Sequence, residues 1–142
     1  MNLLGSRVAL VVWTLSLAWL AGSRTAAQAE DPRPLKAGII GLDTSHVVAF
    51  TKALNDPKAT GDLANIRVVA AYPGGSPDLP ASANRVENFT KTVSGMGVVI
   101  VDSIDALLER VDVDLLESVD GRAHLEQAKK VLEEGKPLFI DK

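Results

Sequence analysis

The chain has 142 residues, with 15 lysines and arginines against 18 aspartates and glutamates and a formal net charge of −3. It contains no cysteine, which excludes disulfides, thiolate chemistry and cysteine-ligated metals. Mild acidity without a lysine–arginine cluster offers no surface for a phosphate backbone, so nucleic-acid binding is set aside.

Residues 1–29 read as a secretory signal peptide. Arg7 precedes an uncharged 16-residue run, Val8 to Ser23, and Ala27-Gln28-Ala29 supplies a small-residue exit. The run is shorter than the ~20 residues that span a bilayer. Cleavage after Ala29 is therefore expected to leave no stable membrane span and a periplasmic or extracellular protein; an uncleaved anchor is the competing reading. Residues 30–142, 113 in number, then form one domain large enough for a single core. The leader removes Arg7 and Arg24 but no acid, so the mature net charge is −5.

After a polar lead-in, Glu30 to Pro34, strands and helices alternate. Leu35–Ile40 is a short apolar strand. Thr44 or Ser45 can cap a helix reaching about Asn55, with Val47, Phe50 and Leu54 on one face. Pro57 and Gly61 break the chain before a second strand, Ile66–Tyr72. Pro73-Gly74-Gly75-Ser76-Pro77 is a strong break, after which Ala83–Ser94 is predicted helical and Val98–Val101 a third strand. Ser103 can cap a helix whose Ile104, Leu107, Leu108 and Val111 share a face. Val113–Glu117 is the fourth strand. His124–Glu134 is predicted to be a helix with Leu125, Ala128, Val131 and Leu132 inward, ended by Gly135, and Leu138–Ile140 the fifth strand. Such interleaving predicts an α/β fold: a doubly wound, Rossmann-like parallel sheet of about five strands, covered on both faces.

The first strand and turn, Gly38-Ile39-Ile40-Gly41-Leu42-Asp43-Thr44-Ser45-His46, open a nucleotide-binding βαβ unit. Against the G-x-G-x-x-G fingerprint, Asp43 and His46 stand where the second and third glycines would be. A carboxylate ~5 Å from a phosphate, at an effective dielectric of about 20, opposes it by roughly 3 kcal/mol, on the order of a hundredfold in affinity. Asp43 can instead cap the helix or shape the turn. Tyr72-Pro73-Gly74-Gly75, at the end of the second strand, lacks the acid that commonly holds a ribose.

Three segments together resemble the N-terminal domain of the glucose–fructose oxidoreductase, inositol dehydrogenase and rhizopine-catabolism (Gfo/Idh/MocA) oxidoreductase family. They are Gly38-Ile39-Ile40-Gly41-Leu42, then Asp114 through His124, and Gly135-Lys136-Pro137-Leu138-Phe139-Ile140-Asp141-Lys142, whose last residues are similar to the family's Glu-Lys-Pro motif with Asp for Glu. The resemblance covers Leu35 to Lys142. It implies NAD or NADP as cofactor and a sugar or polyol as substrate, with Gly41, Leu42, Asp43, Thr44, Ser45, His46, Ser118, Asp120 and His124 against the nucleotide. It makes Lys142 the counterpart of the lysine that assists proton transfer. It also implies a second, substrate-binding domain beyond Lys142, so the chain is expected to be a fragment or truncated product, inactive alone.

Two other readings stand beside this one. A non-catalytic relative would use the same crevice for a carbohydrate or a partner. Alternatively, the only histidines, His46 and His124, both follow strand ends, as do Asp43, Asp120 and Asp141, and together could hold a divalent cation.

Overall fold

The computed structural model describes residues 33–141; the signal-peptide reading of 1–29 and the role given to Lys142 lie outside the described residues. Five strands, β1 (Leu35–Ile40), β2 (Ile66–Tyr72), β3 (Val99–Ile100), β4 (Val113–Leu116) and β5 (Leu138–Ile140), form one parallel sheet in the order β3-β2-β1-β4-β5. The helices are α1 (His46–Leu54), α2 (Pro80–Ala83), α3 (Val86–Gly95), α4 (Ile104–Leu108) and α5 (Gly121–Glu133). The chain crosses from one side of β1 to the other between β3 and β4. The crevice at that switch point, outside the carboxyl ends of β1 and β4, is where such sheets receive ligands. Among the described residues no helix is long and apolar enough to cross a membrane.

Each face of the sheet buries its own core. On one, Ala37, Ile39, Val68, Ala71 and Leu115 pack with Val47 of α1 and Val93 of α3. On the other, Ile40, Ala70 and Leu116 pack with Ile104, Leu107 and Leu108 of α4 and with Ala128 and Val131 of α5. The strict alternation of β2 is interrupted once. Ala37 pairs with Val68 but Gly38 pairs with Ala70, so Val69 is an extra residue in the ladder. This bulge returns the next side chains to the faces their partners need.

Three expectations are corrected. The helix expected over Ala83–Ser94 is two pieces, α2 and α3. Pro80 opens α2, and Ser82 is held fully buried by side-chain bonds to other loops, which fixes α2 apart from α3. α5 starts at Gly121, capped by Asp120, whose carboxylate accepts from the Arg122 amide, so His124 is inside the first turn and does not open the helix. Leu125 and Leu132, expected inward, are 75% and 62% exposed. The reason is polar. His124 and Gln127 are tied to Ser118, and these tethers set the rotation of α5 so that Ala128 and Val131 face the sheet. Ser103 caps α4 as expected, accepting from the Ala106 amide at 3.2 Å.

Candidate functional site

The first turn sets the site. Gly41 has φ +90°, and a Cβ there would lie 2.3 Å from Ser118 Oγ and 2.6 Å from Ser118 Cα. Only glycine lets the β1–α1 turn press this closely on the β4–α5 loop. The turn is bonded on its other side to the end of β2. Gly41 N donates to Tyr72 O (2.9 Å) and Leu42 N to Pro73 O (2.7 Å).

Asp43 is fully buried and does not cap α1. The N-cap is Ser45, which makes no side-chain cap bond, while the α1 entry is served by Thr44 Oγ1, accepting from His46 N at 3.4 Å. Asp43 instead joins three loops. One carboxylate oxygen accepts from Ser82 Oγ (2.6 Å), the other from Val119 N (3.0 Å). Ser82 Oγ in turn accepts from Ser76 N at 2.8 Å. A buried carboxylate is tolerable only with donors of this kind around it.

Asp120 and Arg122 make a second tie. The Arg122 guanidinium donates to Asp120 at 2.6–3.0 Å and to Asp78 at 2.9 Å, linking the loop after β2 to the one after β4. Arg122 holds the Asp120 carboxyl well below the usual carboxylate range, and Asp120 raises Arg122 in return. Asp78, in the loop after β2, is lowered by the same guanidinium.

The two histidines part company. His124 Nε2 is 2.6 Å from the Ser118 carbonyl, so that nitrogen carries the proton and donates. Ser118 Oγ donates to Gln127 Oε1 at 2.8 Å. His46 Nδ1 is bonded to the Asp141 carboxylate. Its ring meets Phe50 edge-on at 6.5 Å, and Phe50 meets Phe139 at 6.1 Å. Close to both lies Glu117, fully buried. One ligand atom from each of His46, Glu117 and Asp141 falls within 4.8 Å of the others.

The expected pairing of His46 with His124 around a cation is therefore corrected: among the described residues the candidate ligand group is His46, Glu117 and Asp141, without His124. Gly41, Leu42, Asp43, Thr44, Ser45, His46, Ser118 and Asp120 lie at the carboxyl ends of β1 and β4 as the topology requires. Glu117, Ser82 and Gln127 were not singled out by sequence. For Glu117 a signal existed, an acid at the carboxyl end of a predicted strand.

No protein-family model matches the sequence, and no curated protein matches it. Solved structures do. A dehydrogenase (MviM) from Clostridium difficile has a TM-score of 0.56 and 23% identity over 76% of this chain. UDP-N-acetylglucosamine 3-dehydrogenase GnnA from Acidithiobacillus ferrooxidans has a TM-score of 0.52 and 17% identity over 77%. The chain spans 30% of the length of each. Both neighbours are Gfo/Idh/MocA dehydrogenases, the family that the sequence resembles. At these identities the likeness is one of architecture: the described residues have the Rossmann-like fold found in the N-terminal region of Gfo/Idh/MocA dehydrogenases.

Proposed function

We propose that this chain is the nucleotide-binding-type domain of an exported oxidoreductase-like protein of the Gfo/Idh/MocA kind, directed at a sugar or polyol, whose seat for the NAD or NADP diphosphate has been rebuilt. The observation that carries the reading is Asp43. Its buried carboxylate stands at the second glycine of the fingerprint and takes the Val119 amide and the Ser82 hydroxyl for itself. The Leu42 amide is likewise engaged, by Pro73 O. Space and free donors at a helix N-terminus are what a diphosphate needs. The standard cradle does not fit these residues.

Further support comes from three places. Tyr72 ends β2 without an acid for the ribose, and Asp78 is bound to Arg122. The 30% share of each neighbour's length agrees with a second domain in the longer protein, as does edge strand β5, where Phe139 and Ile140 stay exposed. Export rests on the leader-like composition of residues 1–29. The second reading, a cofactor-free carbohydrate- or partner-binding relative, draws on the same occupied turn.

Fluorescence titration with NADH separates the two. The chain is compared with its Asp43→Gly/His46→Gly variant, checked by circular dichroism to be folded at the titration temperature. On the first reading the wild type binds in the millimolar range and the variant at least tenfold more tightly. On the second neither binds. Micromolar binding by the wild type overturns the rebuilt seat.

A further inference from the structure

We propose that His46, Glu117 and Asp141 form a binding site for one divalent transition-metal cation, with zinc the matching ion. The site stands on side-chain geometry and does not depend on whether the domain binds a nucleotide.

The three residues meet at the carboxyl end of the sheet, each reached from a different strand. His46 is the first residue of α1, Glu117 follows β4 directly and Asp141 follows β5 directly. The ladder continues past the strand ends and fixes the backbone of both acids. Glu117 N donates to Ile40 O at 2.8 Å, and Asp141 N to Leu116 O at 3.0 Å. One ligand atom from each residue lies within 4.8 Å of the other two. Zinc bonds to nitrogen and carboxylate oxygen are about 2.0–2.2 Å, so tetrahedral ligand atoms stand roughly 3.4 Å apart, within reach of side-chain adjustment alone.

The chemistry agrees with the geometry. One imidazole and two carboxylates are a mixed nitrogen–oxygen set, which suits zinc better than magnesium or calcium, ions that prefer oxygen alone. The two carboxylates balance the charge of a divalent ion. Glu117 is fully buried and lies beside the more exposed His46 and Asp141. The side chains of His46 and Asp141 are 46% and 24% exposed, leaving a route of entry from solvent. The edge-on contact of Phe50 with the imidazole, backed by Phe139, holds the ring in place. Three protein ligands leave a coordination position open, the pattern of a zinc site that takes a water or a substrate oxygen.

The test uses the untagged full chain after chelator treatment. Zinc chloride is titrated by calorimetry, and bound metal is counted by mass spectrometry after dialysis. The expected result is one zinc per chain and a higher melting temperature. His46→Ala and Asp141→Asn should each weaken zinc binding at least tenfold, and Glu87→Gln, at an exposed ion pair on α3, should leave it unchanged. Magnesium at the same concentration should produce no shift. Absence of stoichiometric zinc uptake by the folded wild type overturns the proposal. So does zinc binding unaffected by His46→Ala, or uptake of magnesium in preference to zinc.

Discussion

Asp43 and Ser82, 39 residues apart in sequence, share a 2.6 Å hydrogen bond in which the hydroxyl donates to the buried carboxylate. Through it the turn after β1 is tied to α2, and through Val119 N to the loop after β4. A hydrogen bond to a charged group is worth about 1.5–3 kcal/mol, and an abandoned buried partner adds its own desolvation cost. Ser82→Ala is therefore expected to lower unfolding free energy by about 2 kcal/mol, and Asp43→Ala by about 3 kcal/mol because it strands two donors. Urea denaturation at neutral pH measures both. A loss under about 0.5 kcal/mol for Asp43→Ala, the level of ordinary surface substitutions, would show that the carboxylate is not part of the framework.

Gly41 is fixed by a different constraint. Its φ of +90° is a left-handed conformation, and Ser118 occupies the space a side chain would take. Gly41→Ala meets both conformational strain and a backbone clash, expected to cost about 3 kcal/mol. For a domain of this size that lowers the melting temperature by about 10 °C or more. Gly97 offers the control. It also has positive φ but nothing lies within 4 Å of its added Cβ, so Gly97→Ala should shift melting much less. Equal shifts would contradict the close-approach account.

Asp114 gives a pH signature. It sits buried on the face of β4 that carries Leu116, and neither carboxylate oxygen has a hydrogen-bond partner among the described residues. Burial pushes its pKa up to about 6, with Lys136 pulling the other way. The native state thus holds this proton more tightly than the unfolded chain does. Its contribution is favourable below the unfolded value, about 4, and is lost as pH rises from there through about 6. A shift of this size corresponds to about 3 kcal/mol. Asp114→Asn should be more stable than the wild type at pH 7, by about 2 kcal/mol, and should flatten the decline between about pH 4 and pH 6. Urea denaturation at both ends of that window checks it. An unchanged slope in the variant would place the decline elsewhere.

β1, β2 and β5 have the bounds expected from sequence because each is a short apolar run closed by proline, glycine or charge. The parallel sheet with helices on both faces followed from their alternation with helices. What was illegible depends on contacts remote in sequence. The break between α2 and α3 comes from the hold of Asp43 on Ser82, which no local propensity encodes. The rotation of α5 is set by His124 and Gln127 reaching Ser118, so a leucine pattern that looked inward faces solvent. Asp43, expected to cap α1 or to shape the turn, is decided by the same kind of contact. A helix cap and a long-range tie both require an acid at that place, and only the positions of Ser82 and Val119 distinguish them. Glu117 sat in plain view as the last residue of a predicted strand, yet its neighbours His46 and Asp141 arrive from elements distant in sequence.

The rebuilt diphosphate seat is tested most directly by titrating NADH into the folded wild-type chain and following nucleotide fluorescence. With the Leu42 and Val119 amides engaged and the Asp43 carboxylate between the loops, the expected dissociation constant is about 1 mM or weaker, corresponding to roughly −4 kcal/mol. Saturable binding in the micromolar range would contradict the account, because it would require a diphosphate to be held where these residues already hold one another.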